Sequence, residues 1–441
     1  MKRAHWGSRI GFILATAGSA VGLGNVWKFP YMAAQNGGAA FLLVYVAIVF
    51  TIGISVMLAE FAIGRAGERN PVGALRRLKG GPWPVVGYMG IAAAFIILSF
   101  YSVVAGWTIA YAFKAAAGVL ATSDPEVLGA MFNDFSGNPA QPILYHLLFM
   151  ALTVGVVAGG IHGGIERSCT ILLPLLLLIL VVLAVRSLTL PGAMEGLRFY
   201  LQPDFSKVSA ETFNGALAQA FFSLSLGMGV MITYGSYLSH RENLPRSAMW
   251  VTACDLLVAL MAGLVILPAV FAFSFDPQAG PGLVFITLPA VFAQMPAGVV
   301  FAVLFFVLLV IAALTSSVSL LEVLVAYLVD QWGWRRKSAA VALGFIAFAL
   351  GIPSSLSLGI WSNFQIAGRS IFDFLDYIST NLLLPLGGLA ITLFVGWVIL
   401  PQAMREATSE GAHPFPLAGI WRVICRYVAP IAIAWILLSG L

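Results

Sequence analysis

Apolar residues run along this chain in eleven long blocks, with short polar or Gly- and Pro-rich breaks between them. The blocks lie at roughly 9–32, 38–64, 84–118, 142–160, 165–187, 209–238, 246–274, 296–329, 338–351, 370–400 and 416–440. Stretches of this kind cross the ~30 Å hydrocarbon layer of a bilayer as helices. Strands of an outer-membrane barrel would alternate polar and apolar positions, and these blocks do not. The pattern predicts an all-α polytopic membrane protein with eleven transmembrane helices.

Composition agrees. Of 441 residues, 60% are hydrophobic and 9% are Asp, Glu, Lys or Arg, whereas a soluble domain carries about 25% charged residues. A soluble enzyme, a disulfide scaffold and a disordered chain are excluded. Cys169, Cys254 and Cys425 are scattered in apolar sequence, and the five His show no metal-ligand spacing. The net charge of +5 reflects topology rather than nucleic-acid binding. With the N-terminus placed inside, only Lys28, Lys114, Arg186, Arg198, Lys207 and Arg369 of the 23 Lys and Arg fall outside. The positive-inside rule therefore predicts a cytoplasmic N-terminus and, after eleven spans, an external C-terminus. The expected location is the bacterial inner (plasma) membrane.

Two blocks look wrong for plain membrane helices. Span 1 carries Gly18-Ser19-Ala20-Val21-Gly22-Leu23-Gly24-Asn25 halfway along, and span 6 carries Ser223-Leu224-Ser225-Leu226-Gly227-Met228-Gly229. Small residues also serve close helix packing. Two such interruptions five spans apart, however, point to a transporter built from inverted repeats, spans 1–5 and 6–10. The expected organisation is one integral domain, 1–441, with repeats at about 9–187 and 209–400 and an extra helix at 416–440. Irregular backbone at membrane depth must line a cavity or be met by protein. Asn25, Ser223 and Ser225 fall at these breaks, and Thr315-Ser316-Ser317 interrupts the apolar span 8. Helix back-bonding would explain these hydroxyls; a site of oxygen ligands for a hard cation is the sharper reading.

At this point the residues become recognisable. HWGSRIGFILATAGSAVGLGNVWKFPY (5–31) closely resembles the first-helix signature of the neurotransmitter:sodium symporters, the family with the leucine-transporter fold. GGAAFLLVY (37–45), FFSLSLGMGVMITYGSY (221–237), AALTSSVSL (312–320) and FDFLDYIS (372–379) continue the resemblance over nearly the whole chain. That fold is itself the type example of paired broken helices, so the two readings share a source. The resemblance implies two sodium sites. Ala20, Asn25 and Ser223 match the first, where the family's span 7 asparagine is replaced here. Asp255 or, in another register, Cys254 stands there, and Asp255 is preferred. Gly18, Val21, Ala312, Thr315 and Ser316 match the second. Tyr45, Gln219 and Ser223 match the chloride region, with Ala259 where a Ser or Glu could stand. If the Asp255 carboxylate supplies the negative charge, chloride is not required.

The same resemblance implies a substrate pocket. Ala20, Gly22, Gly24 and Tyr101 would meet a carboxylate, and Phe222, Ser223 and Ser316 an amino group. Ser19, Ile97, Ser225, Met228 and Leu320 would bound the side chain. Monoamine-selective members carry Asp where Gly22 stands, which argues for a substrate that brings its own carboxylate. Lys28 and Asp376 match the outer gate. Arg3 and Asp330, with Trp6 and Tyr237, match the inner one. Gly164 and Pro174 match a motif at which family members unwind span 5. The expected function is Na⁺-coupled symport of a neutral, hydrophobic or aromatic L-amino acid into the cell by alternating access. The expected partners are the amino acid and the lipid bilayer, with no nucleic acid, in a monomer or weak dimer. A carrier of another zwitterion, a non-transporting sensor on the same scaffold and a proton-coupled carrier are the competing readings. An intramembrane enzyme would need a catalytic constellation at depth, and none is visible.

Overall fold

The apolar blocks fold as helices because a backbone in lipid has no water to bond and must satisfy its own amides. A computed structural model of the protein describes residues 4–277 and 282–439. In chain order the helices are α1 (Arg9–Ala20), α2 (Gly24–Gln35), α3 (Ala39–Gly67), α4 (Pro71–Leu78), α5 (Pro84–Ala116) and α6 (Pro125–Gly137). They continue as α7 (Gln141–Ala158), α8 (Ile161–Leu188), α9 (Ala193–Leu201), α10 (Ala210–Ser223), α11 (Val230–Gly235) and α12 (Leu244–Ala272). The last six are α13 (Leu283–Ala293), α14 (Gly298–Trp332), α15 (Arg336–Leu356), α16 (Ile371–Val398), α17 (Leu400–Ala407) and α18 (Ala418–Leu438).

Among the described residues, nine helices are long and apolar enough to cross a membrane, and the bent pair α1–α2 makes a tenth. Segment 209–238 falls short as a single helix because it consists of two pieces, α10 and α11, of 14 and 6 residues. The architecture is compatible with eleven spans. The long helices α5 and α14 pack along each other through the centre, flanked by α7 and α15, while α12 packs on α8 and α9.

The two breaks meet in the middle, where protein groups bond several of the freed backbone groups. α1 ends at Val21, whose extended backbone (φ −74°, ψ 104°) turns the chain, and α2 leaves at 50° to α1. Leu23 N–H donates to the Tyr101 hydroxyl (3.1 Å), Gly22 N–H to Asn25 Oδ1 (3.0 Å), and Gln219 Nε2 to the Gly24 carbonyl (2.9 Å). Between α10 and α11, Ser225, Gly227 and Gly229 all have positive φ (53°, 77° and 75°). Gly227 could not be another residue: a Cβ there would lie 2.3 Å from the Leu384 carbonyl oxygen. Its N–H donates to Glu60 Oε1 at 2.8 Å, so a fully buried carboxylate on α3 replaces the lost helical acceptor.

Candidate functional site

The two breaks enclose a cavity of about 30 Å³. Its lining is Ser19, Ala20, Gly22 and Gly24 from the first break, Ile97 and Tyr101 from α5, Phe222, Ser223, Ser225 and Met228 from the second, and Ser316 and Leu320 from α14. These are the twelve residues matched to the substrate pocket, and none carries a formal charge. The polar edge is a chain of serines. Ser225 and Ser316 donate to the Ser19 carbonyl (3.0 and 3.1 Å), and the Ser19 hydroxyl donates to Ser319 (2.6 Å). Ile97, Met228 and Leu320 supply the apolar wall.

Beside this cavity a carboxylate is buried without a basic partner among the described residues. Asp255 Oδ1 accepts from Asn25 Nδ2 and from the Ser223 hydroxyl, both at 2.8 Å, and Asn25 Nδ2 also lies 3.0 Å from Ser223 Oγ. Asp255 Oδ2 and Gln219 Oε1 are buried with no hydrogen-bond partner among the described residues. A buried charge is stable only when paired or bound to a cation, so the donor set fits a cation next to Asp255. Asp255 rather than Cys254 reaches this cluster; Cys254 is only half-buried. Ala20 lines the adjoining cavity, and Tyr45 and Ala259 are buried.

A second oxygen-rich point lies between α1 and α14. The Thr315 hydroxyl sits 3.1, 3.2 and 3.5 Å from the carbonyls of Ala312, Ile311 and Val21, and the Ser316 hydroxyl 3.2 Å from Val21 O. One hydroxyl proton cannot serve three carbonyls. An excess of oxygens over protons is the environment a hard cation uses. Gly18 faces the same point, since a Cβ on it would lie 3.3 Å from Thr315 Cβ. All five residues matched to the second sodium site therefore converge here.

The end of the bundle that holds most Lys and Arg, here the basic end, is closed. Trp6 N–H donates to the Tyr237 carbonyl (3.3 Å) and its indole Nε1 to the Tyr234 carbonyl (3.1 Å), with edge contacts to both rings. Asp330 Oδ2 accepts from Asn70 N–H at 2.7 Å; Arg3, its expected partner, lies outside the described residues. The Tyr237 hydroxyl donates to Glu322 Oε1 (2.7 Å), and Arg336 pairs with both oxygens of that carboxylate. Sequence reading missed Glu322, Arg336 and Glu60. A Glu inside an apolar span was signal enough to single out Glu60 and Glu322, but Arg336 sits on another helix and Gly227 in the break between α10 and α11.

At the opposite end the two residues matched to the outer gate face one cavity without an ion pair between them. Lys28 and Asp376 line a separate cavity of about 170 Å³, with Trp27, Tyr31 and Phe372 among their neighbours. Lys28 Nζ sits 5.6 Å from the centre of the Phe222 ring, and Asp376 accepts from Thr380 (3.0 Å). The Lys ammonium is a point charge on a flexible stem and here lies over the face of the ring. Gly24, Tyr101 and Phe222 border both cavities, so these two aromatic rings form the partition between them.

Comparison with known proteins gives this architecture its class. The profile of the Sodium:neurotransmitter symporter family matches residues 3–127 and 131–441. An uncharacterized sodium-dependent transporter of Bacillus subtilis (strain 168), YhdH, is 42% identical, covering 99% of this chain and 98% of its own. A sodium-dependent transporter of Haemophilus influenzae is 41% identical over 100% of this chain and 98% of its own. Among solved structures, the crystal structure of MhsT in complex with L-phenylalanine superposes with a TM-score of 0.92 and 48% identity over the whole of both chains. The chain is thus a sodium-dependent membrane transporter with the leucine-transporter fold, not an enzyme. It belongs to the sodium:neurotransmitter symporter family.

Proposed function

We propose that the protein carries a neutral, hydrophobic or aromatic L-amino acid into the cell together with up to two Na⁺, without chloride. The observation that carries this reading is the lining of the central cavity: no charged side chain, four serine hydroxyls and a tyrosine hydroxyl on its polar side, and Ile97, Phe222, Met228 and Leu320 elsewhere. Such a lining favours a zwitterion with an apolar side chain. A monoamine would bring a positive charge with no carboxylate on the wall to meet it. The superposing MhsT structure, described as a complex with L-phenylalanine, supports the same class. Met228 adapts its shape to different side chains.

One cation beside Asp255, Asn25, Ser223 and Ala20 would neutralise the carboxylate, whose fixed charge takes the place of chloride. A second would bind Gly18, Val21, Ala312, Thr315 and Ser316. Each positive charge driven inward gains ~2.3 kcal/mol per 100 mV of membrane potential. We assign the basic end to the cytoplasm by the positive-inside rule and spans 1–5 and 6–10 to the inverted repeats. Substrate and Na⁺ enter past Lys28 and Asp376, Phe222 and Tyr101 close over them, and release follows when α1 leaves the basic end.

The deciding experiment measures Na⁺-dependent binding of the twenty L-amino acids, taurine, betaine and tryptamine to purified protein. Signals for Phe, Trp, Tyr, Leu or Met that vanish in K⁺ are expected. Binding only of tryptamine overturns the carboxylate requirement, and loss of transport in gluconate overturns chloride independence.

A further inference from the structure

The serines on the polar edge of the central cavity hold more free lone pairs than protons. A hydroxyl gives one proton and accepts two hydrogen bonds. Ser225 donates to the Ser19 carbonyl (3.0 Å), and Ser319, outside the lining, donates to the Ser316 carbonyl (2.7 Å). Ser316 donates to the carbonyl of Ser19 (3.1 Å) or of Val21 (3.2 Å), and Ser223 to Asp255 (2.8 Å). The Ser19 hydroxyl has two oxygens in range, Ser319 at 2.6 Å and Ser225 at 3.2 Å, and one proton for them. All of these protons are held by protein. The Ser19 and Ser225 oxygens have two lone pairs each, and among the described residues only the Ser19 proton is placed to fill any of them.

Both side chains line the cavity and are nearly out of solvent, Ser19 at 2% and Ser225 at 6% exposure. Ile97, Met228 and Leu320 share that lining and have no side-chain proton to donate. Ser225 also holds a left-handed backbone, φ 53°, that serine seldom adopts. Such positions persist where the surroundings over-determine them, and they cluster at ligand sites. Here the bond to the Ser19 carbonyl fixes the second break to the first and leaves the Ser225 oxygen able only to accept.

We propose that Ser19 and Ser225 are specificity-determining residues that accept a hydrogen bond from the side chain of the bound amino acid. The site then prefers an aromatic side chain carrying an N–H or O–H, an indole or a phenol, to a pure hydrocarbon. This rests on the amino-acid reading above and narrows it. A hydrocarbon side chain covers the serine oxygens and leaves their lone pairs unmet, which is how a polar group in a pocket discriminates. A side chain that can only accept sets one oxygen or halogen against another. The α-amino group gives no such preference, because every amino acid brings one.

The test measures Na⁺-dependent binding to the purified full chain with pairs of ligands that differ by one donor. L-Tryptophan is compared with β-benzothienyl-L-alanine, in which sulfur replaces the N–H. L-Tyrosine is compared with para-fluoro-L-phenylalanine, in which fluorine replaces the O–H. In at least one pair the donor is expected to bind about tenfold more tightly. Ser19→Ala removes one acceptor, and Ser225→Gly, which suits a positive φ, removes the other. Each is expected to cut the advantage to less than about threefold. Equal affinity within both pairs overturns the proposal, and so does an advantage that survives both substitutions. The pairs are compared first on the unaltered chain, so a variant that fails to fold leaves that result standing. Na⁺-dependent binding of leucine and phenylalanine with no donor advantage overturns this proposal alone. Absence of Na⁺-dependent binding by any amino acid overturns the reading on which it rests.

Discussion

The two ends of the bundle close the same pair of broken helices by different means. At the basic end the contacts are buried, charged and mutually dependent. Arg336 holds Glu322, which also takes the Tyr237 hydroxyl, and the Tyr237 carbonyl receives Trp6. Fully buried Arg65 binds Glu406 at 2.7 Å and the Glu242 carbonyl at 2.7 Å, while Arg9 lies 3.7 Å from the Glu242 carboxylate. At the other end Lys28 and Asp376 flank a cavity without touching, and two aromatic rings are the barrier. A carrier that alternates must never be open at both ends, so one strongly closed end permits a loosely closed one. The difference implies that opening the basic end is the costly step, and each experiment below can break or sharpen that comparison.

The largest effect is expected at Arg336. Removing one member of a buried ion pair costs about 3–5 kcal/mol, because the other charge stays buried alone. Arg336→Met should lower the thermal stability of the purified protein accordingly. The double variant Glu322→Leu/Arg336→Met should recover most of the loss, since an apolar replacement of both partners leaves no stranded charge. A single variant as stable as wild type would mean that the network at this end does not hold it closed.

Asp255 should come next. Its carboxylate accepts from Asn25 and Ser223 and pairs with no basic side chain among the described residues, so bound Na⁺ is its natural counter-charge in the proposed cycle. Asp255→Asn keeps the shape. Interactions with charged groups are worth about 1.5–3 kcal/mol, so Na⁺ affinity for supporting amino-acid binding should fall about 10- to 100-fold. Chloride, but not gluconate, should restore part of the loss. A sodium titration unchanged by the substitution would remove Asp255 from the ion site and leave the site between α1 and α14 untouched.

Much of this was legible in the sequence, and the reason differs from residue to residue. The apolar blocks anticipate the helix limits to within a few residues because chain in lipid has few alternatives to helix. The breaks at 18–25 and 223–229 were visible because Gly and Ser are dense there, and only Gly tolerates the backbone contact at Gly227. The convergence of Thr315 and Ser316 on Val21 follows a motif. Partners across helices were not legible. Glu60 and Glu322 stand out as charges in apolar spans, but nothing local says that one meets Gly227 and the other Arg336. Lys28 and Asp376 were matched to the outer gate and do line one cavity, but a match of positions does not say that Lys28 lies over the Phe222 ring.

That last residue supplies the smallest effect and the sharpest test of the asymmetry. Lys28 is half-buried at the rim of a cavity and has no carboxylate partner within ion-pair distance among the described residues. Exposed charge contacts contribute about 0–1 kcal/mol, and a cation over a ring at a wet site about 0.5–1 kcal/mol. Lys28→Met should therefore change thermal stability by less than about 1 kcal/mol, far below the loss at Arg336. Lys28→Arg carries a planar fork suited to a carboxylate. It should reach Asp376, slow dissociation of a bound amino acid about threefold and leave stability unchanged, since a rim pair alters rates more than folding. Dissociation followed by dilution of radiolabelled ligand, together with a melting curve, separates the two quantities. If Lys28→Met destabilises the protein as much as Arg336→Met does, both ends are strongly closed, and the cost of opening must be sought in the broken helices themselves.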